Sequence, residues 1–283
     1  MKNNIQQFCF PATAAEAARL MARFKDKGLI VAGGTRLTRT LSPKVEAVID
    51  ITDLPLKRIS ADARGLRIGA LCTIAELEAS PLLKRWARGV IAKSAGFGSN
   101  ALARAMGTVG GNVVRAHPFN NLPPVFLALD AAAVCLDGAR EKVLPFADLL
   151  KPEVMHLFGR KLFLTEVRVP ASTKNLACAA ERLSTTKTDW ESYVNVVVAV
   201  DKRAGVCRRA ALAMGAILPR VARLGRAEAA LEGKPCSEET ARLAEREAVA
   251  ELSELTGGAE GKAYAREVAG VLVRRCLLEA FNG

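Results

Sequence analysis

The sequence predicts an α+β fold in two domains, and three observations carry that prediction. The chain has 283 residues, more than one minimal core requires, because a domain commonly spans about 100 to 200 residues. Short β-rich runs alternate with helical patterns up to about residue 170, and a further pair of β-rich runs is then followed by helical segments. We therefore predict domains at 1–172 and 176–283, with a linker in the small, polar residues 171–178.

Two capping boxes mark where helices begin. An apolar stripe at helical spacing runs over 12–24, with Thr13 as its N-cap and Glu16 three residues later. The same pairing recurs at Thr73 and Glu76. In such a box, each side chain accepts a hydrogen bond from a backbone N–H group that the first helical turn leaves without a partner. Both positions therefore predict a helix start.

Strands are predicted from short apolar or alternating runs bounded by residues that favour turns. The runs are Leu29–Ala32, Val45–Ile51, Leu66–Leu71, Val113–His117, Leu162–Val169, Tyr193–Val200 and Arg208–Met214. They divide the first domain into lobes over about 1–55 and 56–172. In the second domain the last two runs predict a hairpin, with long helices after it over 238–254 and 262–281.

Two glycine-rich stretches are the most informative features for function. Ala32-Gly33-Gly34-Thr35 follows a predicted strand. Gly107-Thr108-Val109-Gly110-Gly111-Asn112 follows an Ala-rich helix predicted over 87–106, with interruptions at Gly96 and Gly98. Glycine lets backbone N–H groups approach an anion closely, and successive N–H groups in a turn form a concavity suited to phosphate oxygens. Two such loops predict a grip on a diphosphate from both sides.

Side chains beside the glycines favour this interpretation over a pair of ordinary tight turns. Thr35, Thr108 and Asn112 are short hydrogen-bonding residues of the kind that a diphosphate or a ribityl chain needs. Arg36 either adds positive charge at the first stretch or is an ordinary surface residue. Neither stretch has the G-x-G-x-x-G spacing of a Rossmann loop or the Gly-Lys-Ser/Thr ending of a P-loop.

Composition limits the other classes of function. The formal net charge is +12, but lysine and arginine occur in dispersed pairs, so nucleic-acid binding is a secondary alternative. The seven cysteines lack C-x-x-C spacing, which predicts core thiols in a reducing compartment and no metal site. His117 and His156 have no acidic neighbour that would suggest a catalytic dyad. The absence of an apolar run of about eighteen residues predicts a cytoplasmic protein.

Four motifs in order resemble the FAD-binding medium subunit of the molybdenum hydroxylases, the enzymes of the xanthine dehydrogenase and carbon monoxide dehydrogenase type. The motifs are Ile30–Leu37, Val48–Ile51, Leu66–Leu77 and Gly107–Asn112. The resemblance runs from about Phe8 to Pro170 and continues more faintly to the end of the chain. It implies a two-lobed FAD-binding domain of the vanillyl-alcohol-oxidase-like (PCMH) type, followed by a smaller sheet-plus-helices domain.

The resemblance implies FAD as the cofactor and assigns residues of this chain to it. These are Ala32, Gly33, Gly34, Thr35, Arg36, Leu37, Thr108, Gly110, Gly111, Asn112, Asn121 and Arg182. Asn121 stands where the family has an aspartate, and Arg182 keeps positive charge near the flavin ring but in a different geometry from the family's basic run. No side chain need act as an acid or a base, because the cofactor carries the redox chemistry.

The implied function is electron transfer within an oxidoreductase complex. Electrons would pass from iron–sulfur clusters on a partner chain through FAD to NAD or another acceptor. The implied partners are a molybdopterin-binding large subunit and a 2Fe-2S small subunit, in a heterotrimer. Two alternatives remain open at this point: a scaffold subunit whose flavin binding has weakened, and a basic nucleic-acid-binding protein. The substrate belongs to a different chain in this family.

Overall fold

The computed structural model describes residues 4–35, 42–115 and 117–283. These residues form two compact units, neither of which is continuous in the sequence. Unit 1 takes in the described residues of Met1–Glu76, Ala101–Arg115 and Ala131–Val169, and unit 2 takes in those of Leu77–Asn100, Ala116–Asp130 and Pro170–Gly283. The domain boundaries at 172 and 176 are divisions of the sequence and stay a prediction.

The described elements form an α+β chain, as predicted. The strands are Gln7–Cys9 (β1), Gly28–Val31 (β2), Ala47–Asp50 (β3), Ile59–Asp62 (β4), Gly65–Gly69 (β5), Ala132–Asp137 (β6), Arg140–Pro145 (β7), Leu162–Pro170 (β8), Ala177–Leu183 (β9), Val194–Arg203 (β10), Val206–Gly215 (β11) and Ala222–Arg223 (β12). The helices are Ala14–Phe24 (α1), Ile74–Ala79 (α2), Pro81–Arg85 (α3), Val90–Ala95 (α4), Ala101–Met106 (α5), Val109–Arg115 (α6), Leu122–Ala128 (α7), Phe146–Leu149 (α8), Pro152–Met155 (α9), Gly225–Ala229 (α10), Glu238–Leu255 (α11) and Ala263–Asn282 (α12).

A parallel sheet in unit 1, with strand order β1-β3-β2, supports the first glycine stretch. Helix α1 contributes the buried side chains of Ala17 and Met21 to the same core. The predicted capping box is confirmed, because Thr13 Oγ1 accepts a hydrogen bond from the Glu16 N–H at 3.1 Å. Strand β2 is an outer strand of this sheet and ends directly before Ala32. The glycines therefore follow the carboxyl end of that strand.

A second sheet of unit 1 has the strand order β4-β5-β8-β6-β7. Side chains alternate along β5, so that Leu66 and Ile68 are buried while Arg67 faces solvent. Arg67 pairs with Glu166 of β8 at 3.1 Å. The chain leaves β5 at residues 70–74, which lie against the second glycine stretch.

Unit 2 is built on an antiparallel sheet with strand order β12-β11-β10-β9. The predicted hairpin is confirmed: β10 and β11 are joined at Ala204 and Gly205, whose φ angles of 49° and 75° suit a tight turn. Buried residues of the sheet, such as Val198, share one core with Ala248 of α11 and Leu277 of α12. In the described part of the chain, no helix is both long and apolar enough to cross a membrane.

One prediction around the second glycine stretch is wrong and another is confirmed. The strand predicted over 113–117 is not formed at Val113, which belongs to α6 and is buried one helical turn after Val109. The interruption predicted at Gly96 and Gly98 in the helix over 87–106 is confirmed, because α4 ends before Gly96, α5 begins after Gly98, and Gly98 has a left-handed φ of 69°. Most of the second glycine stretch therefore lies in a helix rather than in a loop.

Candidate cofactor-binding site

The first glycine stretch is a turn with unused hydrogen-bond donors. The N–H groups of Gly33, Gly34 and Thr35 donate to no acceptor among the described residues. Gly34 has a left-handed φ of 65°, and a Cβ built there would meet no described atom within 4 Å. Successive N–H groups of this kind form a concavity that binds anions. The predicted residues Arg36 and Leu37 lie outside the described residues.

The two glycine stretches meet at Gly33. A Cβ built on Gly33 would lie 1.6 Å from the carbonyl oxygen of Met106 and 3.3 Å from the backbone nitrogen of Gly107. No side chain can occupy that position without moving the backbone. The sequence separates these residues widely, and only the fold brings them into contact, so the reasoning from sequence missed Met106.

The second stretch uses its backbone N–H groups within the protein. Val109 N donates to Cys72 O at 2.8 Å, and Gly110 N donates to Ala70 O at 2.7 Å. Gly111 N donates to Thr108 Oγ1 at 3.1 Å. These bonds commit the N–H groups of residues 109–111 within the protein, whereas the Thr108 N–H donates to no acceptor among the described residues. What this stretch contributes is a surface with few side chains beside Gly33.

Residues 70–74 hold the second stretch in place. Thr73 forms an antiparallel bridge with Thr108, whose side chain is only 8% exposed. The second predicted capping box is also confirmed, because Glu76 N donates to Thr73 Oγ1 at 3.2 Å and Thr73 N donates to Glu76 Oε2 at 2.9 Å. Burial by itself raises the pKa of Glu76, but the Thr73 N–H and Lys57 outweigh it and hold that pKa below its usual value.

Asn121 lies in unit 2, at the N-cap of α7. Its Nδ2 donates to the carbonyl oxygen of Phe97 at 2.6 Å. Its Oδ1 is buried and accepts from no donor among the described residues. An aspartate at this position would set a carboxylate against the Phe97 carbonyl, so the departure from the family pattern has a local structural reason.

Arg182 also lies in unit 2 and holds the segment that follows β9. Its Nε donates to Ser192 Oγ at 2.6 Å, and its Nη2 donates to the carbonyl oxygens of Asp189 and Glu191. Burial lowers the pKa of the guanidinium, and Asp189 offsets this only in part. A Cβ on Gly98 would lie 2.6 Å from Arg182 Nη1. Arg182 thus reaches the turn at residues 97–98, which Asn121 also contacts.

Comparisons with known proteins find two family models that together match most of the chain. Residues 3–172 match the family model described as the FAD binding domain in molybdopterin dehydrogenase, and residues 182–280 match the CO dehydrogenase flavoprotein C-terminal domain. The carbon monoxide dehydrogenase medium chain of Hydrogenophaga pseudoflava is 26% identical over 278 residues, which is 96% of this chain and 95% of that protein. The nicotinate dehydrogenase FAD-subunit of Eubacterium barkeri is 30% identical over 244 residues, or 83% of this chain and 82% of that one.

The fold has a matching solved structure. It is the carbon monoxide dehydrogenase of Hydrogenophaga pseudoflava in a form that lacks the Mo-pyranopterin moiety of its molybdenum cofactor. The match has a TM-score of 0.88 and 26% sequence identity, and it covers 100% of this chain and 99% of the matched chain.

Proposed function

The chain belongs to the family of FAD-binding subunits of molybdenum hydroxylases, and from this premise we propose how it binds its cofactor and where its electrons go. FAD is the cofactor, and the chain is an oxidoreductase subunit. The proposal concerns three finer points: the residues that contact FAD, the partner chains and the electron acceptor.

The diphosphate of FAD is bound at the first glycine stretch. The observation that carries this proposal is the set of three successive N–H groups, from Gly33 to Thr35, that have no acceptor among the described residues. A Cβ built at Gly34 would meet no described atom within 4 Å, and hydrogen bonds from such donors to anionic oxygens are stronger than bonds between neutral groups. The residues therefore fit the cofactor.

The other predicted residues have supporting parts in this proposal. Ala32, Arg36 and Leu37 adjoin residues 33–35 in the sequence. Thr108, Gly110, Gly111 and Asn112 are proposed to face the cofactor from the second stretch, with support from the approach of Gly107 N to within 3.3 Å of a Cβ built on Gly33. Asn121 is proposed as a cofactor residue on the resemblance alone, because its Oδ1 is buried within the protein. Arg182 acts by holding the segment at 189–192. FAD, when bound, supplies electron transfer in one- and two-electron steps.

The finer assignment of function is electron transfer between subunits. We propose that the chain receives electrons from iron–sulfur clusters of a 2Fe-2S small subunit, in a complex with a molybdopterin-binding large subunit, and delivers them to NAD or another acceptor. Its support is the similarity to chains named as the medium chain and the FAD-subunit of dehydrogenases. Copurification of both partner chains, with reoxidation of the reduced complex by NAD, would support it. A chain that purifies alone would contradict the proposed partners. A reduced complex that neither NAD nor an artificial electron acceptor reoxidises would contradict the proposed electron transfer, whereas one that only the artificial acceptor reoxidises would exclude NAD.

A matched pair of glycine variants tests the diphosphate site. Gly34 and Gly138 have φ angles of 65° and 62°, and a Cβ at either would meet no described atom within 4 Å. Alanine at either position should therefore cost a similar free energy of unfolding, about 1 to 3 kcal/mol. We expect Gly34→Ala to weaken FAD binding by about tenfold or more, because it disturbs the donors, and Gly138→Ala to leave FAD binding unchanged. Flavin absorbance per folded protein measures both, and equal retention would reject the site.

A further inference from the structure

An outer strand of unit 1 carries exposed aromatic side chains. Strand β1 lies at one end of the sheet β1-β3-β2, so one of its edges has no strand beside it among the described residues. Phe8 is 61% exposed and Phe10 is 72% exposed, whereas Cys9 between them is buried in the core that contains α1. Because side chains alternate along a strand, Phe8 faces away from that core.

The backbone of Phe8 is also turned to the open edge. Gln7 pairs with Ala47 in the parallel ladder of β1 and β3, and Gln7 N donates to Glu46 O at 3.2 Å. In such a ladder, the N–H and C=O groups of every second residue point to the same neighbouring strand. The N–H and C=O groups of Phe8 therefore point away from β3, to the side where a further strand can pair with them.

Charged residues are missing from this edge. Residues 3–15 contain none, although 25% of the whole chain is charged. The outer strand β7 of the second sheet differs, because it begins with the exposed residues Arg140, Glu141 and Lys142. Charges of this kind keep an outer strand from pairing with another chain. Strand β7 has that protection, and β1 lacks it.

The size of the exposed aromatic surface limits what can cover it. A fully buried aromatic side chain removes about 150 to 250 Å² from water, so the two phenyl rings together offer about 200 to 330 Å² at their observed exposure. A stable interface buries about 800 Å² on each partner. This edge alone would therefore not hold two copies of the chain together, whereas it can form part of a larger interface with a different protein.

We infer that β1 is a docking edge for a partner subunit of the complex, which adds an extended, uncharged segment beside it as a fourth strand. The added strand pairs with the backbone of Phe8 and covers the two phenyl rings. A charged segment would lose hydration against these rings without gaining an opposite charge, because residues 3–15 have none to offer. In strand addition, main-chain hydrogen bonds give affinity and side-chain contacts give specificity. The inference rests on the proposed function, which supplies the partner chains.

Serine variants, tested in the complex with both partner chains, separate docking from folding. We expect Phe8→Ser and Phe10→Ser each to weaken assembly by about tenfold, as the loss of a buried aromatic anchor does. Thermal unfolding of the isolated chain should stay unchanged, because both rings are exposed there. Val143→Ser is the control, since it removes an apolar side chain that is 49% exposed on β7, and it should leave assembly unchanged. Sedimentation over a range of concentrations measures assembly. If Phe8→Ser lowers the melting temperature, Phe10→Ser, which lies outside β1, decides between docking and folding.

Amide hydrogen exchange detects the added strand itself. We expect the Phe8 N–H to exchange about tenfold or more slowly in the complex than in the isolated chain, and the Val143 N–H to exchange equally in both. Equal exchange at Phe8, or serine variants that assemble like the wild type, would overturn the inference. An isolated chain whose dimers are lost in Phe8→Ser would identify a second copy as the occupant and overturn it as well. A wild type that assembles with neither partner would instead refute the proposed partners, and the inference with them.

Discussion

The two glycine stretches of unit 1 are alike in composition but differ in how most of their backbone N–H groups are used. At the first stretch, the N–H groups of Gly33, Gly34 and Thr35 have no acceptor among the described residues. At the second, Val109, Gly110 and Gly111 donate to acceptors of the protein. The glycines of the first stretch leave donors open for a ligand, whereas those of the second let polypeptide segments pack closely.

A glycine-rich motif can therefore serve two structural purposes. Glycine permits close approach of the backbone, but the approaching group is either a ligand or another part of the chain. Gly33 serves both purposes. Its N–H has no acceptor among the described residues, and the absence of a Cβ makes room for the carbonyl oxygen of Met106. The sequence predicts that both stretches bind the diphosphate. We propose instead that the first stretch supplies the N–H donors and that the second supplies a closely fitting surface.

The largest effect should come from Gly33→Ala. A Cβ at 1.6 Å from Met106 O must displace backbone, which we expect to destabilise unit 1 by about 3 kcal/mol and to reduce FAD affinity by about 100-fold. Flavin-to-protein ratio and thermal unfolding measure the two losses. Gly138→Ala is the control, since it adds a Cβ in open space. Retention of FAD at the wild-type level would mean that the two stretches need not meet.

Gly110→Ala should lower stability less than Gly33→Ala does, and Gly111→Ala serves as its control at a neighbouring glycine. A Cβ on Gly110 would lie 3.0 Å from the backbone oxygen of Ala70, whereas one on Gly111 meets only the Thr108 side chain at 3.2 Å. We expect a loss of about 1 kcal/mol for Gly110→Ala and no loss for Gly111→Ala, since alanine favours a helix. Urea unfolding of FAD-free protein measures both. Equal destabilisation would contradict the packing role assigned to Gly110.

Threonine variants make the contrast between the stretches quantitative. Thr108→Val removes the acceptor of the Gly111 N–H and should cost about 1 kcal/mol of unfolding free energy. Thr35 is exposed, so Thr35→Val should leave the stability of FAD-free protein unchanged and weaken FAD binding if this hydroxyl contacts the cofactor. Calorimetry of each variant with and without FAD gives both quantities. A stability loss at Thr35 would show that the first stretch also has a packing role.

We expect the weakest effect in the pH dependence of stability, through Glu76 in the segment that supports the second stretch. The pKa of Glu76 is lowered in the folded chain, so its contribution to stability is present above its unfolded pKa and is lost as pH falls below about 4.3. Because the side chain is 42% exposed, the contribution is a few tenths of a kcal/mol, as at other exposed ion pairs. Glu76→Gln should flatten the acid limb of the stability curve. An unchanged limb would mean that the charge of Glu76 does not stabilise the folded chain, because glutamine retains the capping hydrogen bonds.

Much of the local structure and the identity of the cofactor could be predicted from the sequence. The capping boxes at Thr13 and Thr73 and the strand before Gly33 depend on neighbouring residues, so local patterns reveal them. Family membership and FAD followed from four ordered motifs, and the comparisons confirm both. The strand predicted over 113–117 is wrong because burial of Val109 and Val113 together favours a helix.

The supporting contacts could not be predicted, because each joins residues that are distant in the sequence. Asn121 reaches Phe97 across 24 residues, and Asn195 reaches Asn120 across 75. No local pattern encodes such a pair. Their value depends on burial, which turns an ordinary amide into a costly group that must be placed accurately.

The sequence shows where glycine allows the backbone to approach another group closely, and the order of the motifs indicates that the cofactor is FAD. Which backbone N–H groups lack an acceptor among the described residues is evident only in the tertiary structure. The reason is that a backbone N–H binds whatever acceptor the fold brings within hydrogen-bond distance. At Gly110 that acceptor is the carbonyl of Ala70, whereas at Gly34 the fold brings none of the described residues, and the donors are left for the diphosphate that we propose they bind.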